Sequence, residues 1–144
     1  MRAVKGIALV ELDEQGVDKA FRTDVLEGLA QEPKAVPARW LYDQAGSHLF
    51  EDITRLPEYY LTRCETEILQ HHGADFTEQS GPGRAVVEFG SGSSVKTPLL
   101  LRAIAPAAYV PLDIAGDFLR QSAAELAEKF PGLPVHPVEA DFMK

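Results

Sequence analysis

Short apolar runs alternate with helix-like segments from Arg84 onward, and this pattern restricts the fold more than any other feature of the chain. In chain order the predicted elements are a strand at 85–89, a helix at 98–105, a strand at 107–112, a helix at 117–130 and a strand at 133–138. This alternation favours a parallel sheet with right-handed crossovers. Ligands of such sheets bind at the carboxyl ends of the strands, so we expect a ligand site at the loop that begins at Gly90.

The residues before this alternation are predicted to be mainly helical. A helix over 18–30 is indicated by apolar residues at helical spacing, and residues 6–12 fit either a short strand or an extended arm. The sequence therefore predicts a helical amino-terminal region at 1–82 and a sheet-bearing region at 83–144.

Two further helix starts are predicted within the amino-terminal region. Ser47 is a candidate cap for a helix that buries the apolar side chains Leu49, Phe50, Ile53 and Leu56. Thr62 and Glu65 have the spacing of a capping box, in which each side chain satisfies a free backbone N–H, and this predicts a helix that ends near residue 72.

The composition of the chain limits the kinds of partner and compartment that it fits. The chain has 144 residues and a net charge of −8, with 14 Lys and Arg against 22 Asp and Glu. That charge opposes binding to a nucleic acid backbone. A single cysteine cannot form an internal disulfide, and there is neither a signal peptide nor an apolar run of about 18 residues. We expect a cytoplasmic protein with no membrane segment.

The loop sequence GSGSSVKT at 90–97 is compatible with three ligands to different degrees. A phosphate-binding loop needs a second glycine directly before the lysine, and Val95 occupies that position. A dinucleotide-binding loop needs a third small residue, and Val95 stands there too. Backbone conformations that glycine adopts easily cost a β-branched residue roughly 1–3 kcal/mol. Val95 therefore disfavours both a phosphate-binding loop and a dinucleotide-binding loop.

S-adenosylmethionine (SAM) is the third candidate. Its methyltransferases commonly place an acid and a short glycine-rich loop after the first strand, and a second acid at the end of the second strand. Glu88, the Gly90–Gly92 turn and Asp113 occupy these places. Glycines admit a ligand close to the main chain, and a carboxylate can accept hydrogen bonds from two ribose hydroxyls. Thr97 and Pro98 are predicted to cap and begin the following helix.

Several separated motifs point to one family. They are RWLYDQAGSHLFEDITRLPEYYLTR at 39–63, EFGSGSSVKT at 88–97, PLDI at 111–114 and EADF at 139–142. From about residue 18 to its end, the chain resembles the histidine-specific SAM-dependent methyltransferases. The resemblance implies an α/β, Rossmann-like methyltransferase fold with a substrate domain. It also implies methyl transfer from SAM to the α-amine of L-histidine, giving hercynine in ergothioneine biosynthesis.

The resemblance assigns roles to individual residues. It places SAM against Gly90 and Gly92, with Lys96 as a further cofactor contact, and Asp113 on the ribose hydroxyls. Asp141 and Phe142 frame the adenine. Tyr59 corresponds to a substrate-contacting tyrosine, and we expect Tyr42 on the same side of the pocket. No catalytic base is assigned, and no histidine or cysteine completes a metal-ligand spacing.

The fold is expected to be incomplete, because the sequence ends after the first three parallel strands of a sheet that usually has seven. The far edge of the first strand would then be unpaired, and self-association through this edge is expected. We expect no histidine methylation by the 144 residues alone. Two functions stay open at this point: the amino-terminal part of an amino-acid methyltransferase, and a non-catalytic module that binds SAM or a protein partner.

Overall fold

The computed structural model describes residues 11–93 and 95–142. They fall into two compact units, which divide between Tyr42 and Asp43. The predicted division at residue 82 stays a prediction. Most of the predicted strand or arm at 6–12 lies outside the described residues, although Leu12 forms an isolated antiparallel bridge with Asp18. Within the described residues, none of the helices combines the length and the apolar character that a membrane span needs.

The amino-terminal unit contains helix α1, Lys19–Ala30, and a short 3-10 helix, Ala38–Leu41. The helix predicted over 18–30 is therefore confirmed. The Asp18 carboxylate begins α1 by accepting hydrogen bonds from the backbone N–H groups of the first turn. Asp24 accepts a hydrogen bond of 2.7 Å from the Trp40 indole and pairs with Arg39. The ring of Phe21 packs edge-on against Trp40, with 5.2 Å between the ring centroids.

The second unit contains the sheet and the other helices. Its elements are α2 Gln44–Thr54, α3 Leu61–Ser80, β1 Ala85–Phe89, α4 Thr97–Ile104, β2 Ala108–Asp113, α5 Gly116–Lys129 and β3 Val138–Glu139. The three strands are parallel and lie in the order β1-β2-β3. This arrangement confirms the incomplete Rossmann-like fold, with helices before the sheet. Among the described residues β1 pairs only with β2, and self-association through its other edge stays a prediction.

The core of this unit lies where side chains of β2 pack against α4 and α5. Tyr109, Leu101 and Leu126 form the buried cluster, and Val86 of β1 packs against it. Burial alternates along β2 because successive side chains of a strand point to opposite faces. The core thereby fixes the direction of β1 and β2, whose carboxyl ends carry the glycine turn and Asp113.

The third predicted strand is wrong in extent. The sequence predicted residues 133–138, whereas β3 is Val138–Glu139, preceded by an isolated bridge between Val135 and Tyr109. Pro134 and Pro137 explain the difference, because proline has no N–H to donate to a ladder.

The predicted start of α2 is also wrong. Asp43 caps this helix by accepting a hydrogen bond of 2.7 Å from the backbone N–H of Gly46, and Ser47 lies buried inside the helix. The Asp43 carboxylate, three residues before Gly46, satisfies the free donor of the first turn, so Ser47 is not the cap. The apolar side chains predicted to be buried are exposed among the described residues, namely Leu49, Phe50, Ile53 and Leu56.

Helix α3 differs from its prediction at both ends. It begins at Leu61 without a side-chain cap, so Thr62 lies inside the helix and does not form a capping box with Glu65. It continues beyond residue 72 to Ser80, and Gly73 lies where α3 packs closely on α4. A Cβ at Gly73 would lie 2.9 Å from the Cβ of Ala103. Gly81, at φ +73°, ends the helix in a conformation that glycine adopts easily.

Candidate functional site

The turn after β1 is held by the end of β2. Gly90 and Gly92 have positive φ angles of 68° and 50°, which only glycine adopts without strain. The backbone N–H groups of Gly90 and Ser91 donate to the carbonyl oxygen of Leu112 at 2.8 and 3.2 Å. A Cβ at Gly92 would meet no atom within 4 Å, so open space lies next to the backbone there. The predicted glycine turn therefore has the shape that lets a ligand approach the main chain.

Asp113 links this turn to the start of α5. Its carboxylate is buried, with 8% of the residue exposed. One oxygen accepts a hydrogen bond from Gly92 N–H and the other from Ala115 N–H, each at 2.9 Å. A carboxylate has about four lone-pair positions, so it can still accept from a ligand hydroxyl. Asp113 thus positions the turn as well as offering an acceptor beside it.

Glu88 is a site residue that the prediction did not include among the cofactor contacts. One of its carboxylate oxygens accepts hydrogen bonds from Tyr109 Oη at 2.6 Å and from Thr97 Oγ1 at 2.8 Å. The sequence pattern did identify Glu88 as the acid before the glycine turn, and its side chain lies on the same face of β1 as the partly buried Val86. This network ties the core to the start of α4.

The start of α4 corrects one predicted cap. Thr97 is the first residue of the helix and Lys96 is its N-cap residue, although Pro98 does lie in the first turn as predicted. The Thr97 hydroxyl is not free to cap the helix, since it donates to Glu88. Lys96 forms an ion pair with Glu65 of α3. The sequence predicted a capping role for Glu65, and the structure gives it this ion pair instead.

A cavity of about 380 Å³ brings these residues together. Gly90, Gly92, Glu88 and Lys96 border it from the sheet side, and Tyr59 borders it from the segment before α3. Of the predicted site residues, Gly90, Gly92, Lys96 and Tyr59 therefore line one cavity. Tyr42 is the last residue of the amino-terminal unit, and its place in the site stays a prediction.

The segment that carries Tyr59 is fixed by two kinds of contact. The Tyr59 ring packs edge-on against Phe50, with 6.0 Å between the ring centroids. The Arg63 guanidinium donates to the backbone carbonyl oxygens of Leu56 at 2.9 Å and Pro57 at 2.5 Å. Charge-assisted bonds of this kind are stronger than neutral ones, so Arg63 holds the turn that presents Tyr59.

Phe142 lies against the other side of the glycine turn. Its Cζ would lie 3.7 Å from a Cβ at Gly90, and its ring packs edge-on against Phe89 at a centroid distance of 5.5 Å. The ring is partly exposed, which leaves it area for a planar ligand. Asp141 precedes it in the chain. Both predicted adenine contacts follow β3, and Phe142 reaches the turn that follows β1.

The segment before Asp141 is anchored to α5. Arg120 donates to Glu139 at 2.8 Å and to Asp117 at 2.5 Å. These hydrogen bonds raise the pKa of Arg120 above its usual value, and the bond to Asp117 has a larger effect than the bond to Glu139. A Cβ at Gly116 would lie 2.1 Å from the Glu139 carboxylate, so a glycine there permits this close approach.

Comparison with known proteins places the chain in a family. Residues 21–144 match the model of the histidine-specific, SAM-dependent methyltransferases. The chain is 41% identical over 128 residues to the histidine N-alpha-methyltransferase of Mycolicibacterium smegmatis, covering 86% of this chain and 40% of that protein. It is 39% identical over 135 residues to the enzyme of the same name from Mycobacterium tuberculosis, covering 91% and 42%.

A third relative is the ergothioneine biosynthesis protein 1 of Neurospora crassa, which is 37% identical over 98 residues, covering 65% of this chain and 11% of that protein. The chain therefore spans less than half the length of each of these relatives. The family match includes the residues that line the cavity, and it also includes Asp113, which contacts the glycine turn without lining the cavity. The chain belongs to the family of histidine-specific, SAM-dependent methyltransferases.

Proposed function

We propose that this chain is the cofactor-binding, amino-terminal part of an N-methyltransferase that transfers methyl groups from SAM to the α-amine of L-histidine. The observation that carries the proposal is the glycine turn bonded to Asp113. It combines a main chain that a ligand can approach closely with a buried carboxylate that can accept hydrogen bonds. The acceptor is suggested by the names of the relatives, which are histidine N-alpha-methyltransferases. The same names, together with that of the Neurospora relative, support a place in the formation of hercynine for ergothioneine.

The residues present fit SAM. Asp113 would accept hydrogen bonds from the ribose hydroxyls, and Gly90 and Gly92 would let the ligand lie close to the main chain. Phe142 would pack against the adenine, with Asp141 beside it. Lys96 would face the amino-acid end of the cofactor. These roles stay proposals, supported by the geometry around the turn.

The same geometry disfavours a nucleoside triphosphate. Glu88 is bonded to Thr97 and Tyr109 at the place where a phosphate-binding loop would face its anion. The cations that border the cavity, Arg55 and Lys96, are paired with carboxylates, those of Asp52 and Glu65. A polyphosphate would have to displace both acids, whereas SAM carries a single carboxylate.

The chemistry of the proposed reaction depends on positioning. When bound, the cofactor would supply an activated methyl group for direct displacement by a neutral amine. The turn and Asp113 would hold the donor end in place, and Tyr59 would help to orient the amino acid. Correct alignment of two reactants can lower a barrier by roughly 7–11 kcal/mol, so no nucleophile of the chain is required.

Calorimetric titration tests the proposal. We expect saturable binding of one SAM or one S-adenosylhomocysteine per chain, and no measurable binding of ATP, because Arg55 and Lys96 at the cavity are already paired with carboxylates. Adding L-histidine to the chain saturated with S-adenosylhomocysteine is expected to shift the Tyr59 ring resonances, with L-leucine as the control. Binding of ATP in preference to SAM, or no heat with either adenosyl ligand, would reject the proposed function.

A further inference from the structure

The ion pair between Lys96 and Glu65 joins two elements that border the cavity. Lys96 is the N-cap residue of α4 and Glu65 lies on α3. Both residues line the cavity. The lysine side chain is 30% exposed and the glutamate side chain 55% exposed, so the pair is partly covered but still reached by solvent. A ligand that enters the cavity therefore meets a lysine whose charge is already compensated.

The other cation at the cavity has a different setting. Arg55 pairs with Asp52 within one helix, at a spacing of three residues, and both side chains are about 70% exposed, at 73% and 69%. Such a pair lies mostly in water and contributes little. Lys96 is less exposed and lines the same cavity as Gly90 and Gly92, which makes it the stronger partner for an anionic group of a ligand bound at the turn.

We propose that Glu65 sets the affinity of the site for the carboxylate of the cofactor by occupying Lys96 until the cofactor arrives. This inference rests on the proposed function, because it assumes an adenosyl ligand whose amino-acid end faces Lys96. On binding, the ligand carboxylate replaces Glu65 as the partner of Lys96, and Glu65 turns to solvent. This exchange breaks the ion pair between α3 and the start of α4. Glu65 therefore lowers the affinity of the site only for ligands that carry the carboxylate.

Two related ligands separate this effect from general changes in the site. S-adenosylhomocysteine has the amino-acid carboxylate and lacks the positive sulfonium charge of SAM. 5′-Methylthioadenosine keeps the adenosine and the thioether and lacks the amino-acid end. In Glu65→Gln the lysine has no charged competitor. We therefore expect S-adenosylhomocysteine to bind roughly two- to fivefold more tightly to this variant than to the unaltered chain, the factor that a partly exposed ion pair contributes.

The affinity for 5′-methylthioadenosine is expected to be the same in Glu65→Gln and in the unaltered chain. Glu67→Gln is the matched control, because Glu67 lies exposed on the same helix outside the cavity lining and its loss changes the net charge equally. In Lys96→Met, S-adenosylhomocysteine should bind more weakly, and adding Glu65→Gln to that variant should no longer strengthen binding. Isothermal titration calorimetry at constant salt measures all of these constants.

The outcomes distinguish the inference from the proposed function. Unchanged or weaker binding of S-adenosylhomocysteine by Glu65→Gln would overturn the inference and leave the proposed function standing. Equal tightening for 5′-methylthioadenosine would also overturn it, since the effect would then not depend on the carboxylate. Failure of the unaltered chain to bind either adenosyl ligand would overturn the proposed function, and the inference with it.

Discussion

Replacing Asp113 with alanine is expected to weaken SAM binding by about a hundredfold or more, because two ribose hydroxyls would each lose a hydrogen bond to a charged group, worth roughly 1.5–3 kcal/mol. The Asp113 carboxylate accepts from Gly92 N–H and Ala115 N–H, each at 2.9 Å. Without it the N–H groups of Gly92 and Ala115 lose their shared acceptor, and the ribose hydroxyls lose their proposed acceptor. Calorimetric titration of both proteins with SAM measures the difference.

Two further variants show whether the loss is specific. Asp113→Asn keeps one side-chain oxygen as an acceptor, so we expect its SAM affinity to lie between those of Asp113→Ala and the unaltered chain. Asp75→Ala is the matched control, since Asp75 is exposed on α3 and bonded to His72. Circular dichroism verifies that each variant is folded. Full SAM affinity in a folded Asp113→Ala would show that this carboxylate does not serve the cofactor.

Replacing Gly28 with alanine is expected to destabilise the amino-terminal unit by about 1–3 kcal/mol, the usual cost of inserting a methyl group where no space exists. Gly28 is buried in α1, and a Cβ there would lie 1.8 Å from the carbonyl oxygen of Ala35. The obstacle is backbone, which cannot turn away as a side chain can. The N–H of Ala35 also donates to the Gly28 carbonyl oxygen at 3.0 Å, so relieving the clash would break this bond.

Trp40 reports on this change, because it is the only tryptophan of the chain and lies in the same unit. Urea unfolding followed by its fluorescence gives the free energy of unfolding of this unit. Glu27→Ala is the control, as Glu27 is exposed on the same helix and its replacement is expected to change stability by less than about 0.5 kcal/mol. Equal stability of Gly28→Ala and the unaltered chain would contradict the close packing of α1 against residue 35.

Local patterns were sufficient to predict the elements that carry the site. The strand predicted at 85–89 has the observed bounds of β1, and the predicted turn after it has positive φ angles at Gly90 and Gly92. An apolar run followed by G-x-G encodes both features within a few residues. Asp113 was identified because it directly follows the second predicted strand, where SAM methyltransferases commonly have an acid, and its carboxylate does contact the turn.

Features that depend on distant parts of the chain were not predictable. The pairing of Lys96 with Glu65 joins a loop to another helix, and neither residue has a neighbour in the sequence that signals it. One of the two hydrogen bonds that Glu88 accepts comes from Tyr109 of the next strand. The close approach of residue 35 to Gly28 likewise depends on how the chain returns after α1. Only the packed structure brings these groups together.

The structure of the chain in complex with S-adenosylhomocysteine, by crystallography or solution NMR, tests most directly the claim that the turn after β1 is built for an adenosyl amino acid. The account predicts the ribose hydroxyls within hydrogen-bonding distance of the Asp113 carboxylate, with the adenine against Phe142. A ribose that lies away from Asp113 in this complex, or a turn that instead encloses the phosphates of ATP, would contradict it.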